Sequence, residues 1–472
     1  MATKWEVIRA CERGTEYLRL HADRYLPQQP LELPESWQNR VSRSVFSPYL
    51  AKIVRTAVGL ILRKPVFLEG GDEAYWETWR QDVCRDGATD LDQFARDVLT
   101  QALSYGHCSF LCDFPDTSNV RTLADEREAD LKPYLVKTNP YDVIGWRQDP
   151  RENMGKLQQV RIKETAAMPK GRFGLEYKNR VRVMEPGSYE LWEAKGENGV
   201  AGWEVIESGV TSVPDIPLCT VYGDKLGILY SKPPLEQVAW MNISHFQKSS
   251  DLTQSLHIAA MPILVGAGMD DLPNDNTYQN SIGLSVNNMV LTGPRSESEV
   301  YYVGAPAQCF QEQQQELERL VAEMSELGVA VLTKQNMTSA SGVSKQLDRI
   351  DSNAVLAVMS KSLQQALQDA VDIAGQYAGV EPPEVTIARD FDVEGMEGGD
   401  ITAINSLFTS GLLDQKSALE ILQHGEVLPD DIDVDEVIMQ SDNDELKDLE
   451  MQVTRTEAMA EIGEGTPPSD NA

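Results

Sequence analysis

Hydrophobic positions in the first hundred residues recur mostly at helical spacing. Trp5 to Tyr25 keeps that period and runs into a proline-rich turn at Pro27, Pro30 and Pro34. Ser47 and Pro48 then open a helix whose apolar positions, Leu50, Ile53, Val54, Ala57, Val58 and Ile61, form a wide stripe. Proline suits such a start, because its missing N–H would have no intrahelical partner there. Asp90 is placed to cap the next helix, with Phe94, Val98, Leu99 and Leu103 on one face and Gly106 as its stop. From His107 to Phe114 the period shortens to two, with Cys108, Phe110 and Cys112 alternating with His107, Ser109 and Leu111. Further β-like segments follow at Pro133–Val136, Asp142–Trp146, Leu157–Lys163, Asn179–Met184, Tyr189–Ala194 and Trp203–Ile206, and Ile216–Tyr222 is the last. Residues 1–232 therefore read as an α+β body.

At Pro233 and Pro234 the pattern changes. Leu235 to Ala260 predicts a long helix with the prolines in its first turn and Val238, Met241, Ile243, Phe246, Leu252, Leu256 and Ile258 as its apolar positions. Short strands are expected at Ile263–Val265, Ser285–Leu291 and Val300–Val303, around the polar loop Asp270–Gln279. A second helix covers Gln308 to Leu327, where Phe310, Leu317, Leu320, Val321, Met324 and Leu327 recur about one heptad apart. Gly328 begins a small, polar stretch. Val343 to Ala378 is a third helical pattern, about 54 Å long at 1.5 Å per residue. A helix of that length usually spans a module or packs along copies of itself. Val385–Phe391 is one more strand, Ile401–Ser410 and Gln415–Gln423 are short helices, and a charged helix is expected from Asp444, with a disordered polar tail after it.

At 472 residues the length suggests about three domains. Charge narrows the classes further. With 74 Asp and Glu against 42 Lys and Arg, the formal net charge is -32. A broad basic face for gripping nucleic acid is therefore not expected, since such affinity comes from neutralising phosphates, and neither is docking on an anionic membrane. No stretch approaches the roughly 18 continuous apolar residues of a membrane span, because Arg55 and Thr56 break the Ile53–Leu62 run. The charged N-terminal residues lack the apolar core of a signal peptide. Six scattered cysteines are expected to be free thiols in a reducing compartment.

Reactive constellations are sparse. There is no GxxxxGK[ST] loop, GxSxG elbow or HExxH helix. His107, Cys108 and Cys112 come nearest to a ligand cluster, but strand alternation puts His107 opposite both thiols, and zinc needs four converging ligands. Two small buried thiols in a core strand is the reading adopted. His245 and His257, twelve residues apart on one helix, cannot share a metal and are expected at a surface or interface. Asp430 to Glu436 lacks the glycine turn of a calcium loop and reads as a solvated acidic linker. No cofactor, metal or catalysis is expected.

Several stretches carry a family resemblance: VSRSVFSPYLAKIVRTAVGLILRKPV, DVLTQALSYGHCSFLCDFPD, KPYLVKTNPYDVIGWRQD, KPPLEQVAWMNISHFQKSSDLTQSLHIAAMPILVGAG, MTSASGVSKQLDRIDSNAVLAVMSKSLQQAL and TAINSLFTSGLLDQKSALEILQHGEVLP. In their order along nearly the whole chain, they resemble the portal (head-to-tail connector) proteins of tailed bacteriophages. The resemblance implies a mainly helical α+β, ring-forming fold. Residues 1–232 would be the wing, 233–262 and 308–328 the stem helices, and 263–307 the clip. The tunnel loop would be 329–342, the long wing helix and strand 343–397, and the crown with an acidic C-terminal tail 398–472. The family assembles in the host cytoplasm as a ring of twelve at one capsid vertex of the virion. Double-stranded DNA passes through it without sequence specificity. Implied partners are the terminase large subunit, a head-tail adaptor and the major capsid or scaffolding protein, with no membrane.

Twelve copies multiplied by -32 give -384 per ring, a field that repels phosphate and needs screening or spread-out placement. The implied tunnel-loop residues are Lys334, Gln335, Asn336, Met337 and Thr338. Lys334, Gln335, Asn336 and Thr338 are expected to make weak phosphate contacts. In the competing reading Lys334 pairs with a neighbouring subunit's acid. The implied clip loop carries Asp270, Asp271, Asn274, Asp275 and Asn276. Phe310, Leu317, Leu320, Met324 and Leu327 are expected to pack the stem, leaving Glu312, Glu316, Glu318 and Glu323 to solvent or subunit pairs. The alternatives are a virion or scaffold protein without a channel, and an enzyme of unknown class.

Overall fold

A glycine breaks the first expected helix. In the computed structural model α1 spans Ala2–Leu20 but is interrupted at Gly14, whose φ of 70° is left-handed and costs a glycine little. A short α2, Ala22–Tyr25, follows. The structure describes residues 2–115, 131–148, 156–195, 202–259, 263–267, 289–292, 299–303, 307–329, 342–388, 404, 406–410 and 413–424. Two compact units divide the chain, Met1–Arg389 and Asp390–Ala472.

The proline-rich turn is shorter than expected. Pro34 begins a helix, α3, Pro34–Arg43, since proline at the first helical position forfeits no hydrogen bond. The expected stripe of α4, Tyr49–Ile61, is buried at all six positions. An unforeseen strand, β1, Phe67–Glu69, and helix, α5, Glu73–Arg80, come next. In α6, Leu91–Tyr105, the Asp90 carboxylate accepts from the Gln93 N–H at 2.7 Å, and Gly106 ends the helix at φ 94°. A Cβ on Gly106 would come within 2.7 Å of Ser231 Oγ, so both conformation and space demand glycine here.

β2, His107–Asp113, lies between antiparallel neighbours β3, Tyr134–Thr138, and β9, Leu218–Tyr222. Both faces of β2 are buried down to Cys112. A second sheet is an antiparallel meander of β4, Val143–Gln148, β5, Leu157–Lys170, β6, Gly174–Glu185, β7, Ser188–Ala194, and β8, Trp203–Val210. Leu111 of β2 joins Val160, Ile162 and Met184 in the core between them. β5 and β6 run well past their expected ends. Nor is β9 the last strand of this region, since β10, Lys225–Gly227, and β11, Tyr230–Ser231, form a small hairpin after it.

α7 spans Glu236–Ala259, so Pro233 and Pro234 precede it and are not in its first turn. β12, Ile263–Ala267, pairs in parallel with β13, Met289–Thr292, and antiparallel with β14, Glu299–Val303. α8, Ala307–Val329, and the 37-residue α9, Gly342–Ala378, complete the long helices. From Leu356 onward α9 buries Met359, Leu363, Ala366, Leu367, Ala370, Val371 and Ala374 at the spacing of one helical face. The Ser362 hydroxyl there accepts from the Tyr222 N–H of β9 at 2.9 Å. β15, Glu384–Thr386, then pairs with β1, joining the end of the first unit to its beginning. Gln368 of α9 holds that strand with both ends of its amide, donating to Pro383 O at 3.0 Å and accepting from Val385 N at 2.7 Å.

In the second unit residues 406–409 are helical and α10 spans Gln415–His424, with the Asp414 carboxylate accepting from the Ser417 N–H. Asp430–Glu436, the helix expected from Asp444 and the tail lie outside the described residues.

Candidate functional site

The helix pair α7–α8 and its attachment to the body form the site singled out by the sequence. α7 carries polar residues on its buried face. Asn242 is fully buried, accepts from the Leu50 N–H at 3.1 Å and donates to Ser47 O at 2.9 Å. Pro48, the N-cap of α4, offers no side-chain cap, so α7 supplies a partner that the first turn would otherwise lack. His245 is also buried, edge-on to the Tyr49 ring at 5.0 Å, and burial holds its pKa below the usual value. The expectation of a surface or interface position fails for His245, which is buried within the chain against the start of α4. It holds for His257, which is exposed.

α3 lies along the second half of α7. Arg40, almost wholly buried, binds both Glu32 oxygens at 2.8 Å and donates to Pro27 O at 3.0 Å. That fork holds the Glu32 carboxyl below its usual range. Asp251 lies 3.5 Å from the same guanidinium, and burial raises its pKa in spite of the cation. The Ser44 and Ser250 hydroxyls meet at 2.7 Å, and Arg43 donates to Gln254 at 3.2 Å.

On α8, Leu320 and Met324 are buried and Phe310 and Leu317 half-buried. Leu327 is 42% exposed in the single chain. The buried contact at that end is Gly328, where a Cβ would sit 2.5 Å from Ile53 Cδ1. The missing side chain lets α8 close on α4. Glu312 and Glu318 are exposed, each accepting from a glutamine amide one turn before it. Glu316 is not left to solvent or subunit pairs: it binds Lys248 of α7 at 2.6 Å and accepts two bonds from Arg319, which also reaches Glu323 at 2.9 Å. These cations hold the Glu316 carboxyl down at about 2.

Lys334, Gln335, Asn336, Met337 and Thr338, like Asp270, Asp271, Asn274, Asp275 and Asn276, lie outside the described residues. His107 bonds Ser231 Oγ at 3.0 Å and stacks on Tyr222, and burial lowers its pKa to about 4. All six cysteines are free, with Cys108 and Cys112 buried. Among the described residues no cluster of three His, Cys, Asp or Glu could hold a metal, and no helix is long and apolar enough to cross a membrane. Sequence reasoning missed Asn242, Arg40 and Gly328. The available signal was a polar side chain between the apolar Ala239, Ile243 and Phe246 of one helical face.

Residues 234–378, which contain α7, α8 and α9, match the model of a family described as a domain of unknown function (DUF4055). No curated protein matches the chain. Among solved structures it is similar to a chain of the neck of an empty GTA particle, with TM-score 0.42 and 12% identity over 80% of this chain and 90% of that one. A chain from the virion of a native gene transfer agent particle is similar at TM-score 0.42 and 11% identity, over 80% and 89%.

Proposed function

We propose that the chain is a portal-type connector, a ring at one capsid vertex of a virion. Double-stranded DNA would pass through the ring during packaging and ejection. The terminase large subunit would dock on it first and the head-tail adaptor later, with the major capsid or scaffolding protein around it. The chain would do no chemistry of its own, ATP hydrolysis belonging to the separate motor. One observation carries this reading. Two long helices, α7 and α8, flank a small three-stranded sheet, and a still longer helix returns to pack on the α+β body. That is the order in which stem, clip, stem and wing helix follow each other in the family the sequence resembles. Anchorage by Asn242, Arg40 and Gly328 suits a helix pair that must keep its angle to the body while neighbours press on it.

Light scattering with negative-stain imaging tests the proposal. Twelve copies of 52.5 kDa give a particle of about 630 kDa with an axial hole. A protein that stays monomeric even when co-expressed with its capsid and scaffolding partners overturns the proposal. A closed particle without a hole favours a scaffold role. For the tunnel loop, Lys334→Glu should lower DNA packaging at unchanged ring assembly, and normal packaging would refute phosphate contact there.

A further inference from the structure

β5 and β6 pair from Val160–Met184 out to Lys170–Gly174. Their neighbours stop early: β4 reaches only Ile162 of β5, and β7 reaches only Arg180 of β6. Beyond Thr165–Asn179 the two strands form a ribbon with no lateral strand among the described residues, and an isolated two-stranded ribbon is marginal in water. Phe173 at its tip is 90% exposed and Tyr177, three pairs in, 68%.

Which face is apolar matters more. Near its base the sheet buries Val160, Ile162 and Met184 against the chain's own core. Alternate residues share a strand face, and directly paired residues share it across strands. On that core-facing side the ribbon turns charged, with Lys170 3.8 Å from Glu176 and Lys178 2.6 Å from Glu193 of β7. The opposite side carries Leu175, Tyr177, Val181, Trp192, Val205 and Trp203, linked by the pairs Val181–Trp192 and Trp192–Val205. Leu175, Tyr177, Trp203 and Val205 are all exposed. The apolar side thus switches along the ribbon and ends facing away from the core that would cover it.

The charge of this region is inverted as well. Residues 161–182 hold seven Lys and Arg against two Glu in a chain of net charge -32. Residues 69–97 show the opposite bias, nine Asp and Glu against three Arg, with Asp72, Glu73, Glu77, Asp86 and Asp90 exposed. We propose that the outward face of the β4–β8 sheet and its ribbon dock on the acidic α5 region of a second copy of this chain. The proposal rests on the self-assembly reading above. Because the two surfaces differ, the contact is head-to-tail, the kind that closes into rings. Arg161 and Lys163, paired with Val183 and Val181, are exposed on the same outward face and supply the charge that meets the α5 acids. A polyanion is a poorer occupant, since the strip beside them is apolar and the rest of the chain would repel phosphate.

The test uses the full chain with the photo-cross-linker p-benzoylphenylalanine in place of Tyr177. Irradiation should give a covalent dimer whose cross-link maps within residues 69–97. The variant Leu175→Ser/Tyr177→Ser, exposed positions that leave the core intact, should raise the half-assembly concentration at least tenfold while circular dichroism is unchanged. Arg161→Glu/Lys163→Glu, on the outward face, should weaken assembly, and Glu73→Lys/Glu77→Lys should restore it. A ring that forms with no cross-link and is indifferent to these variants overturns the docking proposal and leaves the connector reading intact. Cross-linked dimers that never close into a ring support docking and overturn the ring. Ribbon-dependent retardation of duplex DNA without a cross-link assigns the ribbon to nucleic acid and overturns the proposal.

Discussion

Asn242→Ala removes both hydrogen bonds by which α7 holds the start of α4. The Leu50 N–H and Ser47 carbonyl lose their side-chain partner in a buried site. Each buried polar group left unsatisfied costs about 1–3 kcal/mol, and loss of a helix cap alone costs about 1. With partial access of water to the Ser47 side, the expected loss is about 2–4 kcal/mol. At 1.4 kcal/mol per factor of ten, that corresponds to amide exchange from the first turn of α4 accelerating about 30- to 700-fold. Exchange measured by mass spectrometry on peptides covering residues 44–62 reads this directly, and urea unfolding reads the global share. If protection at Tyr49–Ile53 is unchanged and the midpoint moves by less than about 0.5 kcal/mol, the inter-helix cap contributes nothing and the reasoning is wrong.

Gly328→Val should cost about 1–3 kcal/mol by overpacking against Ile53, and Ile53→Ala in the same chain should recover part of it in thermal melts. Leu320→Asp places an unpaired charge on the buried side of α8 and should abolish assembly, so an intact ring by light scattering refutes the stem role. For Glu32 the folded pKa is depressed by Arg40, so its contribution is present above the ordinary carboxyl value near 4.5 and lost as pH falls through the lower folded value. Urea midpoints taken from pH 6 to 3 should show that loss in the wild type, and a flat profile would refute the linkage.

The six-residue stripe of α4 and the Asp90 and Gly106 ends of α6 were legible because local periodicity and local caps decide them. α3 was not, since Pro34 signals a turn as readily as a first helical residue. The extension of β5 and β6 was hidden because Ala166, Ala167, Met168 and Pro169 have no strand preference and are held by pairing alone. At the candidate site the apolar Leu320 and Met324 were readable from heptad spacing. Asn242, His245 and Gly328 were not, because each derives its role from an element far away in sequence: Leu50, Tyr49 and Ile53.

The pairing of β15 with β1 has a mechanical consequence for α9. Past Leu356 the helix is clamped by core side chains and, through Gln368, by the strand that closes the unit. Residues 342–355 continue the same helix for about 21 Å at 1.5 Å per residue. A tilt of about 5° about the clamped half would sweep the Gly342 end through about 2 Å. The helix is therefore a lever with its fulcrum inside the body, and small adjustments of the β1–β15 seam are magnified where α9 begins.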